Sequence, residues 1–127
     1  MDKVKYWIDI ADYDFATAQD LMKSKRWLYV GFMCHQTIEK TLKAYWAAKR
    51  EDDPPYIHNL TRLSELSSLQ EQMTPEQIAF LDVLTPMNIE ARYPSYKSRL
   101  AAGLNESICA DLLKRTEQLQ LWIKSKL

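Results

Sequence analysis

Apolar side chains recur every three or four positions along most of the chain, and no stretch shows the period-two alternation of a half-buried strand. The first such stretch carries Trp7, Ala11, Phe15, Ala18 and Met22, with Lys3, Asp9, Asp12 and Asp20 on the opposite side, and predicts a helix over residues 2–23. Asp14 falls between apolar positions, so its carboxylate is expected at the edge of a packed interface with a basic or hydrogen-bonding partner. The polar string KSKRW contains no glycine and leads into a second helix over residues 27–49. Its stripe runs through Gly31, Cys34, Ile38, Leu42 and Tyr45, widened by Trp27, Val30 and Trp46. So short a link makes the two helices antiparallel neighbours. Glycine costs about 1 kcal/mol relative to alanine inside a helix, so Gly31 is expected to admit another helix at close range.

After the second helix, Pro54 and Pro55 place EDDPPYIH in a loop, because proline lacks an amide donor and restricts its predecessor. Leucines at 60, 63, 66 and 69 then follow one helical face, with His58 or Asn59 at the cap. Thr74-Pro75-Glu76-Gln77 is a sharper start signal, with a capping threonine, proline at the first helical position and glutamine at the third. The helix it opens is expected to run to about Thr85, where Pro86 kinks or ends it. The segment NIEARYPSYKSRLAAGLNES reads as irregular backbone, after which Asn105 caps a last helix burying Ile108, Cys109, Leu112, Thr116, Leu119 and Ile123. The fold class is therefore all-α, an antiparallel bundle of about five helices, three long and one or two short.

Composition narrows the class without changing the architecture. A chain of 127 residues, 46% apolar and 27% charged, fits one soluble globular domain spanning 1–127 that needs no staples to form a core. Two cysteines, Cys34 and Cys109, are too few for a disulfide framework and fit a reducing compartment as small buried side chains. No apolar run approaches the roughly 18 residues of a membrane span, and acids interrupt the N-terminus where a signal peptide is apolar. A cytoplasmic location and no membrane partner are the expectation. The zero net charge hides an uneven distribution: residues 23–50 hold seven basic groups and one acidic, residues 51–91 one basic and eight acidic. Residues 92–127 again hold seven basic against three acidic. Either the two basic segments pack into a positive groove for phosphate or nucleic acid, or the acidic segment, or a second copy of the chain, covers them.

Two polar clusters are the candidates for chemistry. Along the second helix, His35, Gln36, Glu39, Lys40 and Lys43 stand at steps of three and four beside the apolar stripe. They line a cleft, or form a solvated edge containing an ordinary Glu39–Lys43 pair. The second cluster, Arg92, Tyr93, Tyr96, Lys97 and Arg99 around Pro94, offers guanidinium forks that match phosphate oxygens and phenol rings that stack. Other chemistries fit poorly. Gly31 and Gly103 are the sole glycines, so no phosphate-cradling glycine loop can be assembled. Neither His35 nor His58 has a glutamate three residues before it, as a di-iron bundle requires. With two histidines, no metal site and no cofactor are expected. Asp12 and Asp14 diverge on an amphipathic helix, and no serine or cysteine has an evident base nearby in sequence.

Taken together, Trp7, Ala11 and Asp14-Phe15, the run CHQTIEKTLKA at 34–44, His58-Asn59-Leu60 with Leu63, and Ala91-Arg92-Tyr93-Pro94 resemble the HEPN domain, named for higher eukaryotes and prokaryotes nucleotide-binding. The likeness covers nearly the whole chain. It implies a bundle of about five helices that commonly dimerises, often encoded beside or fused to a minimal nucleotidyltransferase, and hence a non-catalytic module that binds a nucleotide or a nucleotidyltransferase partner. Carried onto this chain, the implied ligand-binding residues are His35, Gln36, Glu39, Lys40 and Lys43, then His58 and Asn59, then Arg92, Tyr93 and, packing on the ligand, Tyr96.

Other branches of the same family are metal-independent ribonucleases and toxins of toxin-antitoxin pairs, acting at a dimer groove. They use an arginine followed after about four to six residues by histidine, a base beside a fixed guanidinium. That spacing is absent here: Arg26 and Arg50 stand eight and seven intervening residues before His35 and His58, and no histidine follows Arg92. Ribonuclease activity is thus the alternative, and a spatial pairing of His58 with Arg92 is what it would require. A purely structural role as a dimerising partner of a nucleotidyltransferase is the third reading.

Overall fold

A computed structural model describes residues 2–89 and 93–127 of the chain. Six α-helices follow one another: α1 (Lys3–Lys23), α2 (Trp27–Lys49), α3 (Leu60–Leu66), α4 (Pro75–Leu84), α5 (Pro94–Ala102) and α6 (Glu106–Lys124). Single 3-10 turns at Leu69–Gln72 and Thr85–Met87 follow α3 and α4, and no strand occurs among the described residues. The expected all-α bundle with three long helices is what forms.

The helices start where the sequence places caps. Asp2, Asn59, Thr74 and Asn105 each accept a hydrogen bond from a first-turn amide, and Thr74 and Gln77 complete a reciprocal capping box behind Pro75. The turn between α1 and α2 contains Lys25 at φ 61°, a left-handed residue that reverses the chain without glycine. α5 is a helix where irregular backbone was expected. Pro94 occupies its first turn, but none of its residues is buried, so hydrophobic periodicity carries no trace of it.

α2 is the axis of the bundle. It packs most extensively on α1, then on α6, and also touches α3, α4, α5 and the Thr85–Met87 turn. Burial therefore runs around most of its circumference: Val30, Cys34, Ile38 and Leu42 are enclosed, and so are His35, Thr37, Glu39, Thr41 and Lys43. Leu60, Leu63, Leu81, Leu84, Leu112 and Ile123 close the core from α3, α4 and α6. At Gly31 an added Cβ would lie 2.9 Å from the Met87 sulfur, so the missing side chain admits the Thr85–Met87 turn. On the outside, Asp12 ties α1 to α6 by accepting from Gln120 at 2.9 Å and Lys124 at 2.7 Å. No described helix is long and apolar enough to cross a membrane.

Candidate functional site

Because α2 is surrounded, its polar row lies inside the molecule and has to satisfy itself there. Glu39 is the hub, with 1% of its side chain exposed. Its Oε2 accepts from Lys40 Nζ at 3.1 Å and from Lys43 Nζ at 3.2 Å, while its Oε1 accepts from His58 Nδ1 at 2.9 Å. Burial pushes the Glu39 carboxyl up, but the His58 hydrogen bond and the two ammonium charges outweigh it and bring the pKa down to about 2. The carboxylate is thus ionised at neutral pH. Lys43 is 7% exposed, its Nζ 5.5 Å from the Trp7 ring centroid and 5.8 Å from that of Tyr56. Lys40 lies nearer the surface and also acts on Asp14 of α1. Burial raises the Asp14 carboxyl above its ordinary value against the pull of Lys40, and among the described residues no ion pair forms on Asp14, so the partner expected for it is felt only at a distance.

His35 is fully buried one turn before Glu39. Its Nε2 lies 3.0 Å from the His58 carbonyl and its Nδ1 3.2 Å from the Gln36 Oε1 position, where a half-turn of the amide exchanges oxygen and nitrogen. A carbonyl can only accept, so Nε2 carries the proton. Burial holds the pKa of His35 below its ordinary value, partly offset by Glu39, so the ring is neutral and its Nδ1 lone pair calls for the NH2 end of Gln36.

The one member of this cluster that meets solvent broadly is His58, whose side chain is 46% exposed. With Nδ1–H committed to Glu39, the ring has Nε2 left for an external group. Beside it lies an open cleft of about 180 Å3 lined by His58, Asn59, Thr85 and Asn88. Asn59 caps α3 through Oδ1, which accepts from the Arg62 amide at 3.0 Å, so its side-chain NH2 remains to donate. Thr85 donates its hydroxyl to the Leu81 carbonyl at 2.8 Å and keeps lone pairs to accept. A hollow of similar size, about 190 Å3, lies between α4 and α6, where the Arg115 guanidinium stands 4.3 Å over the Phe80 ring. It contains no buried charge or histidine, so of the two hollows only the one at His58 adjoins the buried ionic cluster.

The residues singled out in the sequence divide accordingly. His35, Gln36, Glu39, Lys40, Lys43 and His58 converge in one hydrogen-bonded cluster, and Asn59 adjoins it at the cleft. Arg92 lies outside the described residues. Tyr93 is the exposed N-cap residue of α5, and Tyr96 donates its hydroxyl to the Pro86 carbonyl at 2.8 Å, which joins α5 to the turn that supplies Thr85. Thr85 and Asn88 in the cleft, and the exposed Tyr56 whose ring meets that of His58 edge-on at 6.0 Å, were not identified from sequence. They sit in the connections flanking α3 and α4, where no periodicity marks a facing side. Cys34 and Cys109 are buried thiols pushed up to about 12 and about 11, which excludes a ready thiolate. No group of three or more His, Cys, Asp or Glu side chains is placed to hold a metal ion among the described residues.

A family model described as HEPN domain matches residues 4–126. Among solved structures, the chain is similar to the crystal structure of TT1696 from Thermus thermophilus, with a TM-score of 0.82 at 20% identity over 100% of both chains, which shows a shared fold. No curated protein matches the sequence.

Proposed function

The chain belongs to the HEPN domain family, and from that premise we propose that it is a non-catalytic helical module whose His58 cleft receives a nucleotide, either free or carried by a nucleotidyltransferase partner. The observation that supports this reading most directly is the fixed His58 ring at the mouth of a cleft whose other walls are hydrogen-bonding side chains. At about 180 Å3 the cleft is smaller than the roughly 300 Å3 of a typical ligand pocket, so it suits one moiety of a nucleotide, a base edge or a phosphoryl group, with the remainder outside. Asn59 donates, Thr85 accepts, and His58 offers Nε2, its Nδ1 being held by Glu39. Lys40 and Lys43 contribute through Glu39, since both ammonium groups are already engaged there; Tyr96 supplies ring surface beside the Thr85–Met87 turn, and Tyr93 an exposed ring at the start of α5.

Calorimetric titration with ATP and GTP tests the reading. Saturable binding is expected, weakened about tenfold or more in His58→Ala; absence of heat with both nucleotides overturns it.

One observation favours a second reading, a ribonuclease toxin acting at a homodimer groove. A buried carboxylate that holds the Nδ1–H of an exposed histidine leaves Nε2 suited to accept a proton. Among the described residues, however, no arginine bonds to the Glu39–His58 pair, and Arg50 spends its fork on Asp52. Incubating tRNA and mRNA with wild type and with His58→Ala separates the readings, and intact RNA in every lane removes the second.

A further inference from the structure

His58 follows a loop, and among the described residues the one ring contact from its own sequence neighbourhood, the edge-on Tyr56 at 6.0 Å, comes from a residue that is itself 94% exposed. The order of His58 comes from α2, at two points. Glu39 takes the ring through Nδ1 at 2.9 Å, and His35, one helical turn earlier on the same face, takes the main chain through Nε2 and the His58 carbonyl at 3.0 Å. Both anchors are enclosed by the bundle, His35 entirely and Glu39 to 1%. An apolar side chain would fill the His35 position without the cost of burying a polar ring, so what the imidazole adds at this position is the bond it makes.

We infer that His35 is a positioning residue for His58: it fixes the main chain at the cleft mouth so that the ring meets Glu39 and presents Nε2 outward. Carbonyl and ring of one residue held by two side chains four positions apart on one helix face leave His58 little freedom about Cα or χ1. Without the His35 bond the carbonyl turns to solvent, the backbone at 58 relaxes, and the ring loses the alignment that selects the Nδ1–H tautomer. His35 itself has no exposed surface and reaches a ligand only through His58. The effect on nucleotide affinity rests on the function proposed above, whereas the effect on the His58 tautomer does not.

The experiment is 15N NMR of the histidine side chains in the full chain, alongside nucleotide titration. In wild type, a slowly exchanging His35 Nε2–H proton and a predominantly Nδ1–H His58 are expected. His35→Gln keeps a donor at the reach of Nε2 and should preserve both tautomer and affinity. His35→Leu keeps the bulk without the donor; His58 should shift toward the Nε2–H form and affinity should fall about fivefold or more. An unchanged His58 tautomer in His35→Leu, or a His35→Gln protein as disturbed as His35→Leu, overturns the inference. If His35→Leu does not fold, wild type and His35→Gln decide: absence of the protected proton in the first, or a scrambled His58 tautomer in the second, overturns it. If no nucleotide binds, the tautomer readings still decide the matter and only the function proposed for the cleft falls.

Discussion

Glu39 and His58 are separated by 19 positions in sequence, yet the carboxylate of one accepts the Nδ1–H of the other at 2.9 Å. The bond joins the axial helix to the end of the loop leading into α3, from a fully enclosed atom to a half-exposed ring. It links a buried polar row to the surface: the charges of Lys40 and Lys43 help hold Glu39 ionised, and Glu39 holds His58. The same bond makes the interior of the bundle dependent on its surface, since removing any member leaves another buried group short of a partner.

Glu39→Gln should destabilise the protein by about 3 kcal/mol, because Lys43 would remain buried with its counter-ion gone. Adding Lys43→Met should recover a good part of that loss, so the double variant will be more stable than the sum of the single changes requires. Urea unfolding of the four proteins completes the cycle; strict additivity would show that the pair is not coupled.

Stability should fall in two stages on acidification. His35 has its folded pKa below the ordinary 6.5, so the unfolded chain binds the extra proton first and stability declines as pH drops below 6.5. The Glu39 carboxyl, at about 2 in the fold against 4.5 ordinarily, contributes stability fully above pH 4.5 that is lost as pH falls toward 2. Asp14, raised by burial, acts in the opposite sense just above 3.8. Urea midpoints at pH 7.5, 5.5 and 4 will show both stages in wild type, and the decline between 7.5 and 5.5 should be reduced in His35→Gln.

Much of the architecture was legible because local rules and tertiary packing agree. The caps at Asn59, Thr74 and Asn105 could be read directly, and so could most of the core faces of α1, α4 and α6; Ile108, expected to be buried, is instead 41% exposed in the first turn of α6, where the periodic stripe runs past the edge of the core. The second helix was harder: periodicity places His35 and Glu39 beside its apolar stripe, but whether that flank meets solvent depends on how many helices surround it, which one helix's pattern does not encode. α5 was missed because it buries nothing. The cleft was only half visible, since Asn59 lies in a start motif while Thr85 and Asn88 become neighbours of His58 through the packing of α3 and α4.

Gly31→Ala tests the close approach of α2 to the Thr85–Met87 turn. Alanine brings about 1 kcal/mol of helix propensity, but its Cβ would sit 2.9 Å from the Met87 sulfur, and Met87 is itself buried. The expected net result is a loss of about 1 kcal/mol. In a Met87→Ala background the obstruction is gone, and the same substitution should become stabilising by about 1 kcal/mol relative to that background. Thermal unfolding of the four proteins measures it, and a stabilising Gly31→Ala in the wild-type background would show that the methionine gives way freely.

Asn59 separates folding from binding, because its two side-chain ends do different work. Oδ1 accepts the Arg62 amide and starts α3, while the NH2 end faces the group proposed to bind in the cleft. Asn59→Asp keeps the cap, and aspartate caps a helix as well as asparagine, so unfolding should be unchanged to within about 0.5 kcal/mol. The same change replaces a donor with an anionic acceptor next to His58, which should abolish binding of a phosphate group or weaken it about tenfold or more. Asn59→Ala removes both ends and should cost about 1 kcal/mol of stability together with affinity. Denaturant unfolding and nucleotide titration on the same three samples distinguish the roles: an aspartate variant that binds as tightly as wild type would place the nucleotide away from the Asn59 amide, whereas one that unfolds as easily as the alanine variant would deny the cap.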